Sequence, residues 1–393
     1  MENSNKSLLI LTLVVFIGFL TIGIPLPVLP LFVTKELLYS SAIAGIVIAA
    51  QSISTMLTRK YSGKLSDIKG SKKIVLLGLL LCAFASLTYY SSYLVSSTSN
   101  LSLAILLIGR VVLGLGESMV MTGALSWGIG LAGTSNSAKV MSWMGLALYG
   151  AFAFGAPIGM ELYKIGGLQI ISLVITSLPV IAFLIALKLP NTVVTTIIPN
   201  NQRIQFLILL KDIWLPGAGM ALGAIGFGII ATFMTLYYAS KQWNGASLCL
   251  TVFASAYILV RILFPNMIQK YGGTRILVFL LLVETIGQST ILLFNNPIIA
   301  ILGSALTGIG YSLVFPAFGV EVVKKIPEQS RGEALGIYTA FFDLALGITG
   351  PIFGFIIYLV GYQYAFLGGT VTSILALFIA IFLNRKTMQK VIN

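Results

Sequence analysis

Twelve stretches of the chain are apolar without strict alternation, at approximately 8–33, 41–58, 74–95, 101–130, 139–162, 168–188, 213–238, 247–268, 275–294, 298–322, 333–358 and 364–384. Each is near the ~20 residues that a helix needs to cross the hydrocarbon layer, or longer and expected to tilt. Barrel strands would alternate apolar and polar over about ten residues, and these do not. The pattern predicts an all-α membrane protein of twelve transmembrane helices. The first stretch is too long for the apolar region of a signal peptide, and Val33-Thr34-Lys35-Glu36 is no small-residue cleavage site. The longest polar connection contains Pro190, Asn191 and the run Pro199-Asn200-Asn201-Gln202-Arg203. It sets the expected boundaries: a six-helix bundle over 1–189, a cytoplasmic linker over 190–212 and a second six-helix bundle over 213–393.

Composition removes other classes. The chain has 393 residues, 58% hydrophobic and 9% charged, whereas a soluble domain carries about 25% charged residues. There is no His, which removes His metal sites, His bases and His proton relays. Cys82 and Cys249 lie in apolar stretches far apart, with no zinc spacing and no expected disulfide. No cofactor is expected.

The net charge of +13 is explained by topology. With both termini in the cytoplasm, 19 of the 24 Lys and Arg fall on the cytoplasmic side: Lys6, Arg59, Lys60, Lys64, Lys69, Lys72, Lys73, Lys139, Lys188, Arg203, Lys211, Lys270, Arg275, Lys324, Lys325, Arg331, Arg385, Lys386 and Lys390. Lys35, Lys164 and Lys241 fall on the other side, and Arg110 and Arg261 lie within spans. This is the positive-inside pattern, and no nucleic-acid partner is needed.

The halves echo each other. At an offset of 202, Arg59 falls on Arg261, Gly70 on Gly272 and Lys73 on Arg275; further on the offset becomes 194, with Gly114 on Gly308, Gly116 on Gly310 and Pro157 on Pro351. Paired six-span halves imply a solute site at their interface near the midplane, reached alternately from each side.

The loop after the second span reads Gly63-x-Leu65-x-Asp67-x-x-Gly70-x-Lys72-Lys73. Here the chain resembles the major facilitator superfamily, over nearly its whole length. In that family the loop's Asp and basic residues form a charge network that holds the cytoplasmic face closed. Gly63 and Gly70 are expected to permit tight turns, and Asp67 to stand at a helix start. The second copy is degraded, with Pro265 at the first Gly position and Gln269 at the Asp position, so a weaker clamp is expected there. The run Arg110-Val111-Val112-Leu113-Gly114-Leu115-Gly116 is similar to the fourth-helix motif of proton-coupled members. Gly155-Ala156-Pro157-Ile158-Gly159 and Gly350-Pro351-x-x-Gly354 are similar to the Gly-Pro motif of antiporters, and imply gating or close helix packing by Pro157, Gly159, Gly350 and Pro351. Gly23-Ile24-Pro25-Leu26-Pro27-Val28-Leu29-Pro30, Gly116-Glu117-Ser118, Thr122 to Gly128 and Gly319 to Lys324 resemble the YhhS/YfcJ-type bacterial subgroup, which resembles drug–proton exporters. The resemblance implies a monomeric, multi-pass transporter of the bacterial inner membrane.

Ionisable groups in mid-membrane are expensive, at least ~2.5–3.5 kcal/mol on insertion scales. The set is Arg110, Glu117, Glu161, Arg261, Glu284, Glu321 and Asp343. Arg261, Glu161 and Glu321 lie near span ends and read as interfacial. Arg110 and Glu117 are seven residues apart, hence on one helix face and roughly 10 Å apart along the axis. Both are expected to line a cavity, with Glu117 binding and releasing the coupling proton and Arg110 tuning it. Asp343 is the second protonation candidate, or a contact for a cationic solute, or a packing residue. Glu284 belongs to a span that is peripheral in the superfamily. Gln51, Trp127, Trp143, Tyr149, Phe227, Tyr311 and Phe315 are further candidate cavity residues, and Pro25, Pro27 and Pro30 are expected to break the first span.

The functional expectation is proton-coupled export of a small organic or drug-like solute, with the lipid bilayer and protons as the other partners. The alternative is import or facilitated diffusion of a sugar or other metabolite. No phosphate-binding loop supports a pump, no clustered acid–base set supports a membrane enzyme, and a duplicated chain argues against a channel.

Overall fold

The computed structural model describes residues 2–133, 136–191, 206–326 and 331–392, and among the described residues there is no strand. The expected linker falls largely on residues 192–205, outside the described residues, as does its Arg203. The chain divides into two compact units, Met1–Ile197 and Ile198–Asn393.

In the first unit, helix α1 (Glu2–Gly23) stops where Pro25, Pro27 and Pro30 remove backbone donors, as expected. A short helix α2 (Leu29–Leu31) and a π-helical turn (Phe32–Glu36) follow. Then come α3 (Ser41–Lys69), α4 (Ser71–Leu94), α5 (Ser99–Ala132) and α6 (Ser137–Leu187). The second unit contains α7 (Phe206–Ser240), α8 (Ala246–Leu263), α9 (Met267–Tyr271), α10 (Gly273–Leu293), α11 (Pro297–Tyr311), α12 (Val314–Val323), α13 (Arg331–Val360) and α14 (Gln363–Ile392).

Among the described residues eleven segments are long and apolar enough to cross a membrane. Two expected spans, 139–162 and 168–188, lie together in α6, on either side of a break in helical geometry at Gly166 and Gly167. The surface is apolar where a soluble protein would be polar. Leu77, Leu80, Phe84 and Leu87 of α4 form an exposed stripe at helical spacing, and so do Leu367, Val371, Leu375, Phe378 and Phe382 of α14. Exposed apolar stripes of this length suit lipid, not water.

The duplication is visible in matching close approaches inside each unit. A Cβ placed on Gly114 would lie 2.2 Å from the Gln51 carbonyl oxygen, and one on Gly308 would lie 2.2 Å from that of Phe253. Gly116 faces Cys82 and the Gly78 carbonyl; Gly310 faces Glu284 and the Leu280 carbonyl. Every partner is displaced by 202 and every glycine by 194. Small residues let helix backbones touch, which is the packing mode of membrane bundles. The two offsets read from the motifs are therefore the offsets of the packing.

The structure corrects the reading of the motif loop. Residues 59–69 are not loop: α3 runs on to Lys69, and Gly63 is an interior helical residue, because no Pro interrupts the run. Asp67 accordingly stands in the last turn of α3, not at a helix start. The turn is made by Gly70 alone, at φ 92 and ψ 136, its N–H bonded to the Ser66 carbonyl at 3.0 Å. Gly272 repeats it at φ 85, with its N–H 3.0 Å from the Ile268 carbonyl. In the second unit Pro265 stands where Gly63 does, and the helix breaks there into α8 and α9.

The two motif glycines should therefore respond oppositely to Ala. A Cβ on Gly63 meets only the Thr122 methyl at 3.8 Å, so Gly63→Ala should gain about 0.4–1 kcal/mol by restricting the unfolded chain. Gly70→Ala forces a side chain into a glycine-only region and should cost about 1–3 kcal/mol. Thermal melting in detergent checks both, and the two variants should shift in opposite directions.

Candidate functional site

Helix α5 carries the site, clasped between α3 and α4. Gly114 brings it onto α3, and Gly116 brings it onto α4. Ser54 Oγ donates to the Val111 carbonyl at 2.7 Å, and Ser62 Oγ lies 2.9 Å from Ser118 Oγ. These bonds and glycines fix the register of α3 against α5.

In that register Arg110 and Glu117 both find partners on α3. Arg110 is buried, 1% exposed. Its Nε donates to the Val47 carbonyl at 3.0 Å, its Nη2 to the Ile48 carbonyl at 3.0 Å, and its Nη1 to Tyr89 Oη of α4 at 3.3 Å. Two turns on, Glu117 is half-buried. Its Oε2 accepts from Gln51 Nε2 at 2.8 Å and from Thr55 Oγ1 at 3.0 Å. Thr55 Oγ1 is also 3.0 Å from the Gly114 carbonyl. A hydroxyl has one proton to donate, so Thr55 serves one of these acceptors at a time. Gln51 Oε1 is buried without a hydrogen-bond partner among the described residues.

Gln51 was legible as a candidate. Thr55 was not singled out, although its place one helical turn after Gln51 puts both on one face. Tyr89 has no sequence signal pointing to Arg110, because only the packing of α4 on α5 brings them together.

The matching positions of the second unit carry different chemistry. At the packing offsets, Gln51, Thr55 and Glu117 correspond to Phe253, Tyr257 and Tyr311. These three are rings in contact, with centroids 6.4 Å apart for Phe253–Tyr311 and 6.1 Å for Tyr257–Tyr311, and Phe227 stacks on Phe253 at 5.2 Å. The polar triad is thus confined to the first unit, and its place in the second is aromatic.

Other sequence candidates lie elsewhere. Asp343 is buried in α13. Leu65 is half-buried at the end of α3, and Asp67 and Lys73 are exposed. Lys72 Nζ donates to the Leu187 and Leu189 carbonyls at 2.8 and 2.6 Å and stands 5.9 Å over the Trp127 ring. Trp127 Nε1 donates to the Pro190 carbonyl at 3.0 Å. Motif and Trp127 together pin the end of α6. Gly155 and Gly159, flanking Pro157, lie against α1: a Cβ on Gly159 would sit 1.9 Å from the Ile24 carbonyl oxygen. Pro351 lies inside α13, beside buried Gly350. Of the remaining membrane charges, Glu161 pairs with Lys164 at 2.7 Å on the exposed surface. Glu321, which is buried, pairs with Lys324 at 2.6 Å. Arg261 Nε donates to the Ser312 carbonyl at 3.1 Å, where the helix breaks between α11 and α12.

Comparison with known proteins agrees with this architecture. The family model of the Major Facilitator Superfamily matches residues 11–250 and 217–392. An uncharacterized MFS-type transporter of Pseudomonas aeruginosa (strain UCBPP-PA14) is 44% identical over 389 residues, covering 99% of this chain and 96% of its own. The uncharacterized MFS-type transporter YhhS of Escherichia coli (strain K12) is 39% identical over 376 residues, covering 96% and 92%. Among solved structures, the nucleoside transporter NupG, as a mutant, superposes with TM-score 0.76 at 15% identity, covering 95% of this chain and 99% of that one. The human organic anion transporter MFSD10 superposes with TM-score 0.72 at 16% identity, covering 96% and 99%. At such identities the likeness is one of fold.

Proposed function

Since this chain belongs to the Major Facilitator Superfamily and is therefore a membrane transporter and not an enzyme, we propose that it is a secondary active transporter. It works by alternating access and exports a small organic solute in exchange for protons across a bacterial inner membrane. The chain crosses twelve times, α6 twice by way of its Gly166–Gly167 break. The even count puts both termini on one side, and the distribution of Lys and Arg makes that side cytoplasmic.

The observation that carries the proton reading is the triad at Glu117. An ionisable group inside a membrane segment is a functional candidate by default, and this one has built partners. Gln51 and Thr55 both donate to Oε2. Protonation weakens Oε2 as an acceptor, and the Thr55 hydroxyl then turns to the Gly114 carbonyl, 3.0 Å away. Proton binding is in this way felt at the α3–α5 contact. Arg110, with its donors committed to α3 and α4, is a positioning residue that holds α3 in register. Asp343 is kept as a second acid for the cycle.

The solute class is small and organic; the nucleoside and organic anion transporters share only the fold with this chain. The test is a solute screen in everted membrane vesicles with a pH dye. Solute-evoked proton release establishes exchange and identifies a substrate together. Saturable solute flux that is indifferent to the pH gradient identifies a facilitator instead.

A further inference from the structure

Glu284 of α10 is fully buried, at 0% exposure, one turn before the equally buried Gln288. Both carboxyl oxygens of Glu284 and Oε1 of Gln288 lack any hydrogen-bond partner among the described residues. Gln288 Nε2 is satisfied, donating to the Gly226 carbonyl at 3.2 Å. The site therefore holds three orphaned acceptors, although buried polar atoms are nearly always paired.

The surroundings make room for this pair. A Cβ on Gly226 of α7 would lie 2.9 Å from both Glu284 Oε1 and Gln288 Nε2. One on Gly223 would lie 3.8 Å from Glu284 Oε2, and one on Gly369 of α14 would lie 2.6 Å from Gln288 Oε1. On the other side Gly310 of α11 packs against the backbone and Cβ of Glu284. The glycines turned to Glu284 bring no side chain of their own to it. On the elements packed against α10 ionisable side chains stand at Lys211, Asp212, Tyr237 and Tyr238 of α7, Lys270 and Tyr271 of α9, Tyr311 of α11, Glu321 of α12, and Tyr364, Arg385, Lys386 and Lys390 of α14; α10 itself adds Arg275. Packing alone does not require an acid here, since the matching position of the first unit is Cys82, a buried thiol.

An unpaired buried carboxylate is too costly to keep; a buried water would donate to its oxygens but leave the charge in place, so the missing component is one that neutralises it. A proton does so with no extra volume. We propose that Glu284 is a further proton-binding site of this protein, separate from the Glu117 triad and from Asp343, and held within the α7–α10–α14 seam of the second unit. Its release requires that seam to open, so that a carboxylate meets water or a donor. Only its use in transport rests on the proton-exchange reading; the binding of the proton does not.

Infrared spectroscopy of the purified protein in lipid vesicles tests this without a solute. We expect a carboxylic-acid carbonyl band, shifted in D2O, that is present in wild type and in Glu117→Gln and missing in Glu284→Gln. Glu284→Cys, which copies the residue tolerated at Cys82, should lose the same band and serves if the Gln variant does not fold. The band should be the same in NaCl and KCl. A wild-type-minus-variant spectrum that shows only carboxylate bands overturns the proposal. So does an acid band that converts to carboxylate when NaCl replaces KCl, since the site would then belong to sodium.

Discussion

Glu117→Gln is expected to reduce pH-driven solute flux to the level of protein-free vesicles while leaving solute counterflow intact. The amide is nearly isosteric. It preserves an oxygen that accepts from Gln51 and Thr55, at 2.8 and 3.0 Å in wild type, so α3 and α5 keep their register. What it removes is the capacity to take up and release a proton. Exchange of solute for solute needs no proton and continues; exchange of solute for protons stops. Thr55→Val is the companion variant. It removes the hydroxyl shared between Glu117 and the Gly114 carbonyl, and should lower pH-driven flux while Glu117 still titrates. The check is paired measurement of ΔpH-driven flux and counterflow in reconstituted vesicles. Counterflow lost together with driven flux would mean that Glu117 holds the solute or the fold, not the proton.

Gly114→Ala should be strongly damaging, since among the glycines of α5 its added methyl makes the closest approach to the backbone of another helix. The new Cβ would meet the Gln51 carbonyl oxygen at 2.2 Å and Ser54 Cβ at 2.8 Å. Neither is the far end of a flexible side chain, so the helices must part. Overpacking of this kind costs about 1–3 kcal/mol, and parting α3 from α5 also displaces Gln51 and Thr55 from Glu117. The variant should therefore melt lower and lose driven flux together. Gly308→Ala, the matching change against the Phe253 carbonyl at 2.2 Å, should cost similar stability but spare the Glu117 triad. Thermal melting in detergent and flux in vesicles separate the two effects. Equal loss of coupling in both variants would argue that the triad is not the seat of the exchange.

The sequence carried the architecture because membrane spans are set by hydropathy summed over about 20 residues, which tolerates local ambiguity. It was less informative about where helices end. The polarity change at Arg59 marks where a membrane-crossing stretch stops, and α3 continues as helix to Lys69 because nothing breaks it before Gly70. Conversely Pro265 was legible as a departure from the motif, and it is where the second copy breaks. At the site, the seven-residue spacing placed Arg110 and Glu117 on one face. That they turn to α3, one to carbonyls and one to side chains, depends on Gly114 and the helix register it permits. The orphaned oxygens of Glu284 were illegible for the same reason. Its helix is apparent from the apolar run, but its burial against Gly226 and Gly369 is a tertiary fact.

The most direct test of the account is solute flux in vesicles containing the purified protein, with the pH gradient imposed, reversed and then collapsed. Proton exchange predicts that net solute movement follows the sign of the gradient and stops when it is collapsed, with proton flow opposite to solute at every step. Net flux that runs down the solute gradient alone, unchanged by collapse of the pH gradient, would contradict it.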